Sequence, residues 1–437
     1  PMLVSPTPFN FFFQAEDGIR VLVRSRGLGD VYKSQEQNRL HQAYGRTPWA
    51  RTGYYYASLP NKPMAAAEHL RKLHCRESGQ GMPVSDAETL RKGIEKRLAD
   101  MNARLKTRWT VKRLEQVMPH ALLQTTGDVA DVFVMTGHAF THAEVSAHYY
   151  TPLNLRLTQK FQAAIEWLMR RVHDSPQPVA AVPPASSLRV GSPHLPSEAL
   201  VFDIAEHLMH NLRDQRRQKP GLETWIRTHN ALVTYIVHWL GFATAYRAVS
   251  DPLASLREIA REERMIVVSD KDDQNHYHAR ILPIPAALVE QIDAYIEHLH
   301  TLRNRLLQHK KLADRISQVL RQDFVLTNIS PDTDTGLLFL LRDDLGIQPV
   351  TPSSLGDQVP WNLVANFNRH YLRTTLRERG CPAVYVDYFY GHWTHGEEPF
   401  QPHSMVSPLE MAQVLVPHLE AINTTLGWRV AEGLIGG

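Results

Sequence analysis

The stretch LETWIRTHNALVTYIVHWLG, residues 222–241, decides the reading of the fold. Apolar side chains fall on nearly every face of its 3.6-residue repeat, so a helix here is covered by protein on all sides. Its most apolar part, residues 231–240, is interrupted by His238 and preceded by Arg227, His229 and Asn230. That falls well short of the ~18 uninterrupted apolar residues of a membrane span, and the reading is a buried helix in a protein without a membrane partner. Gly241 is expected to close it, because glycine tolerates the left-handed conformation that ends many helices.

A helix buried all round needs neighbours. Before it, Val201, Ile204, Leu208, Met209 and Leu212 form one helical face. After it, two β-branched runs, residues 265–268 and 281–284, flank a polar loop and predict a hairpin. Residues 286–322 predict one long helix with Ile292, Ile296, Leu299, Leu302 and Leu306 inward. Residues 324–326 and 337–341 predict a second strand pair, and helices are expected over 361–379 and 409–426. The fold class is therefore mainly α with small β-sheet pieces.

Upstream, residues 174–196 hold six prolines and several serines without apolar periodicity, which marks a linker over about 174–198. The block at 37–173 reads as helical, with Phe161, Ile165, Leu168 and Val172 on one face of an amphipathic helix. Its residues 87–118 carry Arg91, Lys92, Lys96, Arg97, Arg104, Lys106, Arg108, Lys112 and Arg113 against four acidic residues. Such density suits contacts to nucleic-acid phosphates; a solvated helix face is the plainer alternative. Two domains result, 37–173 and 199–437, as a length of 437 residues suggests.

The remaining composition is ordinary. Lys+Arg 48 against Asp+Glu 45 gives +3, too small a bias to argue for nucleic acid without a local cluster. Cys75 and Cys381 form neither a disulfide framework nor a zinc motif, which fits a reducing cytoplasm. No basic segment precedes the apolar Phe11, Phe12 and Phe13, so no signal peptide is read. FFFQAEDGIR (11–20) and SRGLGDVYKSQ (25–35) resemble a translated sequencing-adapter peptide. Residues 1–36 are therefore expected to be foreign to the protein.

Four groups then stand in a telling order. Arg247 follows the buried helix in GFATAYRAVSD, and Lys271 lies in the hairpin loop of VVSDKDDQNHYHARILPIP. NRHYLRTTLRERG sets His370 and Arg373 one helical turn apart, and Gly391-His392-Trp393 comes next. Arginine forks hold the oxygens of a strained phosphorane, an ammonium can protonate a departing oxygen, and imidazole moves or positions a proton. Singly, each has a bland reading as a helix-end charge, a loop lysine, a surface pair or a core histidine.

Taken together, residues 199–428 resemble the catalytic domain of the tyrosine recombinases, the phage-integrase family. The resemblance implies a two-domain clamp on double-stranded DNA that carries out site-specific recombination or integration of a mobile element. It implies Arg247 and Arg373 as phosphate clamps, Lys271 as general acid, His370 as proton handler and His392 as supporting donor. In the family a tyrosine forms a covalent 3′-phosphotyrosyl link in topoisomerase IB-like chemistry, without metal or other cofactor, in a tetramer on paired sites. The helix at 409–426 is the candidate protomer contact, with packing on its own domain as the alternative.

The family's nucleophile is missing. After the Gly-His step the sequence reads WTHGEEPFQPHSMVSP, with Phe400 and His403 near the expected position, and no tyrosine follows Tyr390. An inactivated homologue that binds or regulates at DNA, a Tyr→Phe change, a sequencing error and a displaced C-terminus all account for this. A nucleophilic His403 or Ser404 is a further alternative. The same segment offers a rival, since His392, His395 and His403 with Glu397 and Glu398 are metal-ligand types, although their spacing is not that of helical zinc sites.

Overall fold

The computed structural model describes residues 84–138, 143–172, 188–249, 251–253, 255–270, 279–321, 336–356, 359–361, 364–393, 404 and 406–435. These form two compact units. One comprises the described residues up to 147 and those of 151–191; the other comprises 148–150 and 192 onward. The expected adapter-like segment lies outside the described residues, as does the expected linker up to residue 187.

The first unit is helical: α1 (Val84–Leu105), α2 (Val111–Glu115), α3 (Val117–Thr126), α4 (Val129–Thr136), α5 (Ala143–His148, its last residue counted with the second unit) and α6 (Asn154–Val172). Phe161 and Ile165 of α6 bury against Ala121, Leu122, Val132 and Met135, with Leu168 partly covered, as the periodicity predicts. Asp128 caps α4 through the Ala130 N–H, and left-handed Gly127 and Gly137 end α3 and α4. From residue 188 the chain is fixed by an antiparallel bridge between Leu153 and Arg189.

The second unit forms around α8 (Leu222–Thr244), which buries fourteen of its residues. The preceding α7 (Glu198–Arg217), capped by the Ser197 hydroxyl, buries the face of Val201, Ile204, Leu208, Met209 and Leu212. Three antiparallel strands follow, β1 (Ile259–Ala260), β2 (Met265–Val268) and β3 (Arg280–Pro283), with Val268 opposite Arg280. Then come α9 (Ala286–Arg305), α10 (Lys310–Arg321), the β4–β5 pair (Phe339–Leu341 with Ile347–Pro349), α11 (Pro352–Gly356), α12 (Phe367–Glu378), α13 (Ala383–Tyr390) and α14 (Pro408–Thr425). Mainly α with small antiparallel sheets describes the result. No described helix is long and apolar enough to cross a membrane.

Several boundaries differ from expectation for local reasons. Gly241 does not end α8: it lies inside, where its bare Cα admits Asn368, whose Nδ2 donates to the Gly241 carbonyl at 2.8 Å. The helix ends instead at Ala245, held left-handed at φ 52°. The long helix over 286–322 is broken after Leu306, whose N–H turns back to Leu302 and Arg303, so that Leu312, Ile316 and Val319 of α10 return to the core. The helix expected from 361 begins only at Phe367, because Asn366 is left-handed at φ 63°. β4 pairs with β5; its expected partner, residues 324–326, lies outside the described residues.

Candidate functional site

Helix α12 is polar in sequence yet buries Asn368, Arg369, His370, Tyr371, Arg373 and Thr374. Burying such groups is costly unless each is paired, so the helix marks where the second unit is specialised. Arg280, Arg369 and Arg373 are all less than 2% exposed. Asp270 accepts from Arg280 at 2.8 Å and lies 3.8 Å from Arg369. Arg373 donates to Asp387 at 2.8 Å.

Arg247 is positioned by its loop. Its backbone N–H donates to Asp270 at 2.9 Å, and Asn366 accepts from the Ala248 N–H at 2.8 Å. Asn368 donates to the Tyr246 carbonyl at 2.9 Å and Arg369 to that of Ala245 at 2.6 Å. The loop that carries Arg247 is thus held by three side chains, one at the N-cap of α12 and two on the helix itself. Its own Nε is buried with no hydrogen-bond partner among the described residues.

His392 is set by the end of α13. Gly391 adopts the left-handed conformation at φ 68°, and a Cβ there would come within 3.0 Å of Arg280 Cδ, so the Gly-His step needs its glycine for both reasons. The turn returns the His392 N–H to the Asp387 carbonyl at 2.9 Å and buries the ring. Burial, then the guanidiniums of Arg373, Arg369, Arg280 and Arg247, push its pKa well below the ordinary histidine value. It is therefore neutral, and its 3.9 Å approach to Asp387 is not an ion pair.

His370 lies on the same helix as Arg373. Its Nδ1 bonds the Ser192 hydroxyl at 2.8 Å, and rings of His148, Tyr149 and His194 surround it. Burial first, then His194, His148 and Arg369, lower its pKa to about 3. Burial pushes the Asp270 carboxyl up, but Arg280, Arg369 and the Arg247 N–H outweigh it and hold the carboxyl below its usual value. Four guanidiniums, of Arg247, Arg280, Arg369 and Arg373, stand against two carboxylates, of Asp270 and Asp387. The cluster carries an excess of two positive charges beside two neutral imidazoles and is electrostatically suited to an anion.

Of the sequence-predicted residues, Arg247, His370, Arg373 and His392 meet in this cluster. Lys271, Phe400 and His403 lie outside the described residues, as do His395, Glu397 and Glu398 of the rival metal reading; no group of three metal-ligand side chains occurs among the described residues. Asp270, Arg280, Arg369, Asp387, Tyr149 and Ser192 are the members that sequence reasoning missed. A signal existed for Arg280, which shares inward parity with Leu282 on β3.

In the first unit, Arg91, Lys92, Lys96, Arg97, Arg104, Lys106, Arg108, Lys112 and Arg113 are all exposed. Asn102 fixes the turn between α1 and α2: it donates to the Trp109 carbonyl and accepts from Trp109 N–H, both at 2.8 Å. The half-exposed Trp109 ring therefore stands among the basic side chains on a fixed turn. In comparisons with family models, characterised proteins and solved structures, nothing matches the chain.

Proposed function

We propose that this chain is a recombinase-type DNA strand transferase of the tyrosine-recombinase kind, acting on double-stranded DNA in site-specific recombination or integration. The observation that carries the reading is the convergence of Arg247, Arg280, Arg369 and Arg373 on the neutral His392, with an Arg247 Nε that no described residue uses. Arg247 and Arg373 are the groups to hold the scissile phosphate. Asp387 and Asp270 set the arginines before substrate arrives, which lowers the reorganisation needed as charge develops on the phosphorane. His370 handles the proton of the attacking group, and Lys271, next to Asp270 in sequence, is the candidate donor to the departing oxygen. The exposed basic residues of α1 and α2 supply backbone contacts to the duplex. Assembly as a tetramer on paired sites, in a cytoplasmic setting, belongs to the same proposal.

The test combines binding and chemistry. Affinity for duplex DNA is expected to fall steeply with salt, with a log–log slope of about −0.9 per phosphate contacted. A protein–DNA adduct that survives denaturant is expected with wild type and not with Arg247→Ala or Arg373→Ala. A flat salt response sinks the whole reading.

A second reading rests on one observation, that no tyrosine follows Tyr390. On it the chain occupies DNA sites or regulates an active partner without cutting. Salt-dependent binding with no adduct from wild type would select it.

A further inference from the structure

The cluster does contain a tyrosine, and it comes from upstream. Tyr149 is counted in the second unit, in the short run 148–150 that joins residues 192 onward. Its ring centroid lies 4.9 Å from that of His370 and 6.0 Å from that of His392, to which it is nearly parallel. The Arg369 guanidinium sits 4.6 Å from its ring centre. Thus one tyrosine touches both histidines and one of the arginines of the proposed phosphate site.

Of the other tyrosines near the cluster, two are committed elsewhere, and Tyr246, buried beside Asp270 and Arg280, makes no ring contact with either histidine. Tyr390 donates its hydroxyl to the Arg369 carbonyl at 2.5 Å and is fully buried. Tyr371 donates to Glu198 at 3.3 Å. The Tyr149 hydroxyl makes no hydrogen bond to any described residue, and the residue keeps 9% of its surface exposed. Beside it, His370 Nδ1 pairs with the Ser192 hydroxyl at 2.8 Å and no described residue bonds Nε2; in the tautomer whose Nδ1–H donates to Ser192, Nε2 is the acceptor.

We propose that Tyr149 is the nucleophile, supplied from the 148–150 run of the second unit in place of the tyrosine that the C-terminal stretch lacks. The inference rests on the strand-transfer reading above. The phenol oxygen forms the bond to phosphorus while the bond from phosphorus to the 5′ oxygen breaks. The phenol proton passes to His370 Nε2, and the departing 5′ oxygen takes its proton from Lys271, the donor proposed above, and leaves as a hydroxyl; proton exchange with solvent restores both groups. One phosphodiester is exchanged for another with no oxidation or hydrolysis, so the step is reversible and the reverse attack by a different 5′ hydroxyl completes strand transfer.

The experiment uses the full chain and a pool of random-sequence DNA duplexes, each carrying one nick so that a short cleaved fragment diffuses away and traps the adduct. The trapped protein is digested and the residue bearing phosphodeoxyribose is located by mass spectrometry. The expected site is Tyr149, with adduct yield from Tyr149→Phe reduced at least about a hundredfold. DNA retention and melting temperature of that variant should stay near wild type, because the ring and its packing remain. An adduct on another residue, or an undiminished yield from Tyr149→Phe, overturns Tyr149 and leaves strand transfer standing. Retention of DNA with no adduct from wild type overturns both together.

Discussion

Asp387 joins two members of the cluster: it accepts from Arg373 at 2.8 Å and lies 3.9 Å from Nδ1 of His392. One carboxylate on α13 therefore holds Arg373 of α12 and stands beside the histidine just beyond its own helix. Asp387→Ala removes that charge from beside a guanidinium with 0% exposure. Unfolding in urea should show a loss of about 3 kcal/mol, the usual cost of breaking a buried pair from one side. A loss below about 1 kcal/mol would mean that Arg373 does not depend on this carboxylate.

Gly391→Ala tests the turn that presents His392. An alanine there must adopt φ 68° and place its Cβ 3.0 Å from Arg280 Cδ and 3.1 Å from its Nη1. The conformational penalty of about 1–2 kcal/mol adds to the displacement of Arg280. Thermal unfolding should fall accordingly, and adduct formation should fall more than DNA retention. Equal loss of both would place the effect outside the cluster.

Tyr390→Phe separates packing from chemistry. The substitution removes the bond to the Arg369 carbonyl, and about 1–2 kcal/mol of stability should go with it. Adduct formation should persist, measured on the nicked duplex pool. Complete loss of adduct in a folded Tyr390→Phe protein would give Tyr390 a role in the reaction.

The second unit should weaken in mild acid. The Leu434 N–H donates to His298 Nδ1 at 2.8 Å, so His298 Nε2 carries the proton and donates to His229 Nδ1 at 3.0 Å. His229 Nε2 then donates to the Phe339 carbonyl at 2.9 Å. Burial holds His229 down at about 4, and burial together with His229 holds His298 well below the usual value. Folded values below unfolded ones mean that the unfolded chain binds more protons as pH falls. The stability is thus complete above about pH 6.5 and drains away toward pH 4. For His229 alone the drop amounts to about 3 kcal/mol. A urea midpoint constant from pH 7 to pH 4 would contradict it.

Much of the fold was legible because apolar periodicity reports burial directly. The all-round apolar pattern of α8 and the single face of α7 are cases where side-chain chemistry and environment agree. Helix α12 was legible as a helix and illegible as a core element, since Arg369 and Arg373 read as surface until their partners Asp270 and Asp387 are brought to them. Gly241 was misread as a terminator because sequence does not show Asn368, over a hundred residues away, lying against it. The family resemblance brought out Arg247, His370, Arg373 and His392, which follow local motifs. Tyr149 and Ser192 carry no local signal: only the tertiary fold sets them against His370.

On the proposed function, the arginine cluster cuts and rejoins DNA without metal. Relaxation of a negatively supercoiled plasmid in EDTA tests it most directly, with wild type, Arg247→Ala and Arg373→Ala compared at equal DNA occupancy. Wild type should relax the plasmid, and both variants should lose at least about a hundredfold in rate. A wild type that binds the plasmid and leaves it supercoiled, or an Arg247→Ala variant that relaxes it as fast, would contradict the claim.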